Sequence, residues 1–147
     1  MRKQINSIFV YLFFIACWIF FFYFYPYHLH YKEQITLCVL QPDFLQTYLQ
    51  KPAFLTEICG DYLTQFFLWT GGGSSILTLT FVFTWLGLRI ALRKTGITSH
   101  VSLWALLPIV AEWALSCHLE YPLSMSLGLM CSVWAFSLGH TSLHMSF

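Results

Sequence analysis

Residues 5–25 read INSIFVYLFFIACWIFFFYFY, a largely apolar and aromatic run without a charged side chain. At a rise of about 1.5 Å per residue, about 21 helical residues reach roughly 31 Å, which matches a bilayer hydrocarbon core of about 30 Å. Arg2 and Lys3 precede the run, so a cleaved signal peptide is the alternative. However, the run is longer than a signal-peptide core of about 7–15 residues, and no small-x-small cleavage site follows it. It predicts an uncleaved membrane anchor.

Three further apolar runs follow, at about residues 76–92, 101–117 and 123–138. The whole chain is 58% hydrophobic and only 9% charged, whereas about a quarter of a typical soluble domain is charged. The last two runs are joined only by residues 118–122, which predicts an antiparallel helical hairpin with these residues at its tip. The sequence therefore predicts an all-α polytopic membrane protein with about four transmembrane helices, forming a single membrane unit over residues 1–147.

Basic residues predict the orientation, because Lys and Arg near span ends favour the cytoplasmic side. Basic pairs precede the first run and follow the second. The connection of residues 28–70 instead balances two lysines with acidic side chains, and the hairpin tip has no basic residue except a histidine. We expect both termini in the cytoplasm, and residues 28–70 and the tip in the periplasm of a bacterial inner membrane. The basic residues are Arg2, Lys3, Arg89, Arg93 and Lys94 inside, and Lys32 and Lys51 outside.

The external connection has a helical pattern of its own. From Pro52, apolar residues recur every three or four positions on one face, while Glu57, Asp61 and Thr64 fall on the other, which predicts an amphipathic helix. A shorter amphipathic helix is predicted from Pro42. Two interpretations of the longer helix stay open: it lies in the lipid headgroup plane, or it forms a lid over a cavity between the spans. Its apolar face consists of Phe54, Leu55, Ile58, Tyr62, Phe66 and Trp69.

Cys38 and Cys59 both lie in this connection, on the side of the membrane where disulfides persist. A disulfide between them would close a loop of about twenty residues and stabilise it by roughly 3 kcal/mol; two free thiols against apolar neighbours are the alternative. No Cys or His spacing predicts a metal site, and no cofactor is expected. A net charge of +1 without a basic patch does not favour nucleic acid as a partner.

Glu112 lies about eleven residues into the third run, close to the predicted bilayer midplane. A charge there costs roughly 2.5–3.5 kcal/mol on insertion scales, so its side chain is expected to face protein or water. Trp104 and Pro108 precede it at four-residue intervals and are expected to share its inward face. Two roles stay open: a protonated structural carboxyl, or a group that handles protons, ions or a substrate. The candidate hydrogen-bond partners in the second run are Thr78, Thr80 and Thr84.

The fourth run contains Ser124, Gly128 and Ser132 at four-residue intervals. Small residues at that spacing let two helices approach closely in a membrane, so they predict a helix-packing face. The expected partner is the lipid bilayer. Other membrane subunits and self-association are the further partners to consider.

Two segments resemble a known family. They are His28-Leu29-His30-Tyr31-Lys32-Glu33-Gln34, and Pro52-Ala53-Phe54-Leu55 with Gly60-Asp61-Tyr62-Leu63-Thr64-Gln65-Phe66-Phe67. The chain resembles the N-terminal part of a family of large multi-pass membrane proteins of unknown function from Bacteroidales, strongly over its first half and weakly over the rest. In that family a first span is followed by a Glu-Gln pair, an amphipathic loop and further spans. The resemblance implies that this chain is a fragment of a longer protein or a truncated form, and it implies no reaction.

Three functions agree with these features. The first is a non-catalytic membrane subunit, scaffold or fragment of a larger multi-pass protein, which requires only the predicted spans. The second is a glycosyltransferase-like membrane enzyme whose external carboxylate acts as general base or cation ligand, with Glu33, Asp43 and Asp61 as candidates. The third is a transporter component that uses Glu112. The sequence favours the first, because Gln34 rather than a second acid follows Glu33 and four spans are few for enclosing a lipid carrier.

Overall fold

The computed structural model describes residues 2–35, 48–50, 53–97 and 99–144, and every regular element in these ranges is a helix. Side chains are described from residue 8 to 32, at Gln34, in the ranges 48–50, 53–97 and 99–139. The helices are α1 (Arg2–Tyr23), α2 (Pro26–Ile35), α3 (Phe54–Thr64) with a 3-10 turn (Gln65–Leu68), α4 (Gly72–Lys94), α5 (Val101–Trp104), α6 (Leu106–Ser116) and α7 (Leu123–His144). The prediction of an all-α fold is confirmed for these ranges.

Helix α4 is the central element. It packs against α1, against α7 and against the α5–α6 pair, while α3 packs on α7. The enclosed core is built from large apolar side chains, among them Phe14, Phe21, Leu77, Phe81, Trp85, Ile109 and Leu127. Because aromatic rings bury large areas and pack edge to face, the Phe14 ring meets Trp85 with 5.9 Å between centroids.

Tryptophan indoles connect helices that are distant in sequence. The Trp18 indole N–H donates to the Ser75 hydroxyl at 3.1 Å, and the Trp85 indole donates to the Ser102 carbonyl at 3.1 Å. The Trp134 indole donates to the Phe83 carbonyl at 3.1 Å and so ties α7 to α4. A buried indole N–H needs a partner, so each of these bonds fixes one helix against another.

Two glycines allow close contacts of α4 and α3 with α7. A Cβ added at Gly87 of α4 would lie 2.8 Å from a methyl group of Val133, and one at Gly60 of α3 would lie 2.8 Å from the Ser124 backbone nitrogen. No side chain could enter either contact without separating the helices. Of the predicted packing residues, Ser124 therefore does meet another helix. Gly128 faces open space and Ser132 is exposed, so a packing role for these two stays a prediction.

Proline explains the interruption between α5 and α6. Pro108 lacks a backbone N–H and its ring clashes with the carbonyl four residues earlier, which belongs to Trp104, the last residue of α5. The expectation that Trp104 and Pro108 share the inward face of Glu112 is wrong: Trp104 is 57% exposed and Pro108 is exposed too. Every fourth residue drifts by about 40° around a helix, so Trp104 lies roughly 80° from Glu112. The buried line is instead Val101, Ala105, Ile109, Glu112 and Ser116.

The predicted amphipathic helix of the external connection is present as α3 with its 3-10 turn, but its buried face differs from the apolar one. Gly60, Thr64 and Phe67 are buried against the rest of the protein. Leu55 is 64% exposed and Tyr62 is exposed as well. The helix is therefore attached by its small residues and turns much of its apolar face outward. The predicted helix from Pro42 lies outside the described residues except for its end at residues 48–50.

The number of helices that could cross a membrane is smaller than the predicted four when judged by length and composition. Among the described residues, α4 is long and apolar enough, with a mean hydropathy of 1.7. A second crossing is obtained if residues 8–23 of α1 and 26–32 of α2 count as one span, although they are bent by 75°. Val101–Ser116 and Leu123–Gly139 are apolar but shorter. The remaining predicted spans stay predictions.

Candidate functional site

Two charged side chains are buried among the described residues, Lys32 of α2 and Glu112 of α6. Buried charges are expensive unless they are paired or hydrogen-bonded, so the surroundings of these two residues identify the candidate site. Lys32 is 9% exposed and Glu112 is 2% exposed. Both lie near the hairpin between α6 and α7. Lys32 contacts its tip, and Glu112 lies one turn before the end of α6.

Lys32 is held by the end of α6. Its Nζ donates to the Ser116 carbonyl and to the Tyr121 carbonyl, both at 3.0 Å. The last carbonyls of a helix have no partner within the helix and carry partial negative charge, so an ammonium group is favourable there. Burial lowers the pKa of Lys32 to about 8, and the neighbouring Cys117 thiol opposes this shift. Lys32 therefore joins α2 to the hairpin.

A cavity of about 380 Å³ lies between α2, α3 and the hairpin tip. Two acidic groups line it, Asp61 from α3 and Glu120 from the tip, together with Lys32. The Tyr48 hydroxyl donates to the Asp61 carboxylate. The other lining residues are Tyr31, Thr64, Leu119, Tyr121, Pro122 and Leu123.

Of the three carboxylates predicted as catalytic candidates, only Asp61 has a described side chain, and it lies at this cavity. Asp43 and the side chain of Glu33 lie outside the described residues. The pairing of external carboxylates that an enzyme would need therefore stays a prediction. What the structure adds is that Asp61 lines the same cavity as Lys32 and Glu120.

Glu112 has no hydrogen-bond partner on either carboxylate oxygen within the described part of the chain. The Ser126 hydroxyl of α7 faces this carboxylate and also the Tyr121 phenol, but it forms a hydrogen bond with neither. Ser116, one turn beyond Glu112 on α6, also has a buried hydroxyl without a partner. A buried carboxyl among hydroxyl oxygens can hold a proton or a small cation.

The three threonines predicted near Glu112 have other bonds. The hydroxyls of Thr78, Thr80 and Thr84 donate to the carbonyls of Ser74, Ile76 and Thr80 in their own helix, at 2.7, 2.9 and 2.8 Å. Such bonds satisfy a hydroxyl within an apolar helix. The side chain that faces Glu112 comes instead from α7, across the hairpin.

Sequence reasoning missed Lys32 and Ser126 as site residues. Lys32 counted only as one of the few basic residues of the external connection, and its partners lie 84 and 89 residues away in the chain. The signal that could have found it is the position of a lone lysine within the aromatic α2. Ser126 could have been found from the tight hairpin, which brings the start of α7 beside the end of α6.

The cysteine and metal predictions are only partly covered by the described residues. Cys59 is exposed on α3, whereas Cys38 lies outside the described residues, so the disulfide stays a prediction. Within the described side chains, no group of three or more His, Cys, Asp or Glu residues could hold a metal ion.

Fold and site together define an all-helical protein with a polar cluster enclosed where an aromatic-rich helix meets a tight hairpin. The chain belongs to a family of unknown function (DUF6057), which matches residues 1–145. The match thus covers nearly the whole chain, beyond the first half on which the sequence resemblance chiefly rested. No curated protein and no solved structure matches the chain.

Proposed function

We propose that this protein is an integral protein of a bacterial inner membrane and acts as a non-catalytic subunit or scaffold. In this proposal α1, α4, the α5–α6 pair and α7 are embedded in lipid. Both chain ends are cytoplasmic. Helices α2 and α3 and the hairpin tip lie at the periplasmic surface.

The single observation that carries this proposal is the distribution of side chains. Apolar residues occupy the outer faces of the helices as well as the core between them, and several hydroxyl and charged groups are buried with that core. Soluble proteins rarely expose contiguous apolar patches of this extent. The exposed residues include Ile8, Phe9, Leu12 and Ile15 on α1, Leu79, Phe83 and Ile90 on α4, Leu107, Val110 and Leu115 on α6, and Met125, Leu129 and Phe136 on α7. The buried polar residues include Ser74, Thr80, Thr84, Glu112, Ser116 and Ser126.

The outer end of the bundle supports the proposed orientation. Exposed aromatic side chains gather there, at Tyr23, Tyr27, Tyr31 and Trp69, as in the aromatic belts of membrane interfaces. The α1–α2 bend of 75° would lay α2 along that surface. The exposed Leu55 and Tyr62 of α3 would then enter the headgroup region, as in interfacial amphipathic helices.

The two shorter helices fit a bilayer that adapts to them. Val101–Ser116 reaches about 24 Å and Leu123–Gly139 about 26 Å at the helical rise per residue, against a hydrocarbon core of about 30 Å. Local thinning of the bilayer accommodates such a mismatch at a cost of fractions of a kcal/mol per Å.

Cysteine accessibility tests the proposed topology. In an otherwise cysteine-free chain expressed in intact spheroplasts, we expect a membrane-impermeant maleimide to label native Cys59 and Leu119→Cys at the hairpin tip. Thr95→Cys, after α4, should react only after permeabilisation. Thr95 and Leu119 are both exposed, so differences in labelling report the side of the membrane rather than burial.

Two results would decide against the proposal. If alkaline carbonate released the protein from membranes, it would not be an integral membrane protein. Protection of Leu119→Cys in intact spheroplasts would show that α6 and α7 do not cross, leaving the crossings by α1 and α4. For the subunit role, gene deletion should lower the abundance of a membrane partner without loss of a defined chemical conversion.

A second candidate function, transport or sensing of a cation, is favoured by one observation: both oxygens of the buried Glu112 carboxylate lack a hydrogen-bond partner among the residues that the structure describes. Ionisable residues inside a membrane are rare and mark ion pathways and proton relays. Substitution of Glu112 by Gln should abolish such an activity and leave membrane insertion unchanged.

A further inference from the structure

Four oxygen atoms of α6 and of the start of α7 are buried without a hydrogen-bond partner among the described residues, and they define what we call the seam. They are both carboxylate oxygens of Glu112 and the hydroxyl oxygens of Ser116 and Ser126. The two serines are each 1% exposed. Most buried polar groups in folded proteins have a partner. The Ser126 hydroxyl lies near the Glu112 carboxylate, and Ser116 follows Glu112 by one helical turn, so these unpartnered oxygens indicate a site for something that accepts lone pairs.

Other hydroxyls in the same chain show that this arrangement is not general. Thr78, Thr80, Thr84 and Ser132 each donate to the carbonyl four residues earlier, at 2.7–2.9 Å. That bond is open to any helical serine or threonine. Ser116 and Ser126 do not make it, which leaves their hydroxyl oxygens available at the seam. The Ser137 hydroxyl also has no partner within the described side chains, but it lies toward the other end of α7 and supplies an internal control.

Tyr121 lies between this seam and the outer cavity. Its phenol is close enough to interact with Ser126 and with Glu112, and the same residue lines the cavity of about 380 Å³. Asp61 and Glu120 also line that cavity, whereas its one ammonium group, Lys32, is held by the Ser116 and Tyr121 carbonyls. The cavity lining thus has two carboxylates and one ammonium group. A net negative lining raises the local concentration of cations in the cavity.

We propose that Glu112, Ser116 and Ser126 bind a small monovalent cation, which enters from the outer cavity past Tyr121. The ligands are hard oxygen donors, which suit alkali and alkaline-earth ions rather than soft metals. A monovalent ion fits because one carboxylate balances one charge, and Asp61 and Glu120 are not buried at the seam. A divalent ion would leave an uncompensated charge in a buried site. This inference rests on the second candidate function and names its ligand class.

Carbodiimide protection tests the proposal on the whole protein in lipid vesicles. Dicyclohexylcarbodiimide reacts with carboxyl groups in apolar surroundings, and mass spectrometry of the Glu112 peptide measures the adduct. Sodium chloride, with choline chloride at equal ionic strength as control, supplies the cation. We expect labelling of Glu112 to fall about tenfold once sodium reaches roughly ten times its dissociation constant, because only the unoccupied site reacts.

Two matched serine variants separate the site from the fold. Ser126→Ala removes one proposed ligand and should raise the sodium concentration needed for protection roughly tenfold. Ser137→Ala, on the same helix with an equally buried hydroxyl, should leave protection at the wild-type concentration. Glu112→Gln should show no adduct on this peptide.

The outcomes that overturn the proposal are distinct from those that overturn the membrane topology. If no alkali cation reduced the labelling of Glu112, Glu112 would be a protonated structural carboxyl and not a cation ligand. Absence of Glu112 labelling in wild type even without sodium would also overturn the proposal, because an empty cation site should leave the carboxyl free to react. Either result would leave the maleimide-labelling pattern of the cysteine variants as expected. If instead that pattern contradicted the proposed topology, sodium protection of Glu112 could still be measured in detergent.

Discussion

A charged side chain is buried at the end of α6 and another near its middle, and the two differ in their hydrogen bonds. At the end, the Lys32 ammonium is enclosed but donates to two carbonyls at 3.0 Å. One turn earlier, the Glu112 carboxylate is enclosed and accepts no hydrogen bond from the described protein. A satisfied buried charge fixes a structure, whereas an unsatisfied one is the exception that calls for a ligand or a functional state. From this difference we infer an architectural role for Lys32 and propose a functional one for Glu112.

The strongest test of this contrast reverses the charge of Lys32. Lys32→Glu would place a carboxylate against the Ser116 and Tyr121 carbonyls, so acceptor would face acceptor at the end of a helix. We expect a loss of about 3–5 kcal/mol of unfolding free energy, measured by SDS titration of the protein in mixed micelles. Lys32→Met, which keeps the apolar stem, should lose less. If Lys32→Glu were as stable as the wild type, Lys32 would have no architectural role.

The pH dependence of stability provides a second test at Lys32. Its pKa is lowered to about 8 in the fold, from about 10.4 in an unfolded chain. Between these values the unfolded chain binds more protons than the folded one, so stability should rise with pH through this window, by at most about 3 kcal/mol. Below about pH 8 the ammonium is present in both states and the slope disappears.

Lys32→Met supplies the control for this slope, because it has no group that titrates there. The thermal midpoint of the wild type should rise from pH 8 to pH 10 relative to that of the variant. Parallel midpoints over this window would contradict the burial of Lys32.

The contact between α3 and the hairpin is tested by Gly60→Ala. A methyl group there would lie 2.8 Å from the Ser124 backbone nitrogen, so α3 must move away from α7. Overpacking of about 1–3 kcal/mol outweighs about 1 kcal/mol of gained helix propensity. Gly128→Ala, which meets open space, should be neutral or stabilising. Limited proteolysis near α3 should increase in the first variant and not in the second.

Much of the helical arrangement follows from periodicity, but the choice of contacting face does not. The spacing of Phe54, Leu55, Ile58 and Tyr62 predicted α3. Yet α3 is attached by Gly60 and Thr64 and exposes Leu55. The apolar period shows that a helix forms, but the contact with α7 is made where Gly60 lets the two backbones approach closely, which the apolar spacing does not reveal.

The candidate site shows the same limit. The cost of a charge within an apolar run predicted that Glu112 is enclosed, and Glu112 is 2% exposed. Its facing residue could not be predicted, because Thr78, Thr80 and Thr84 and Ser126 are equivalent by residue type. Only the geometry shows that the threonine hydroxyls bond their own helix. The partners of Lys32 are backbone carbonyls, which no residue pattern reveals.

The smallest expected effect is that of Glu112→Gln on stability. The amide has nearly the shape of the carboxyl and removes a group with no protein hydrogen bond to lose, so we expect a change below about 1 kcal/mol. The same SDS titration as for Lys32 measures it, which places both buried groups on one scale. If Glu112→Gln destabilised the protein as strongly as Lys32→Glu does, the carboxylate would be structural and the contrast between the two regions would fail.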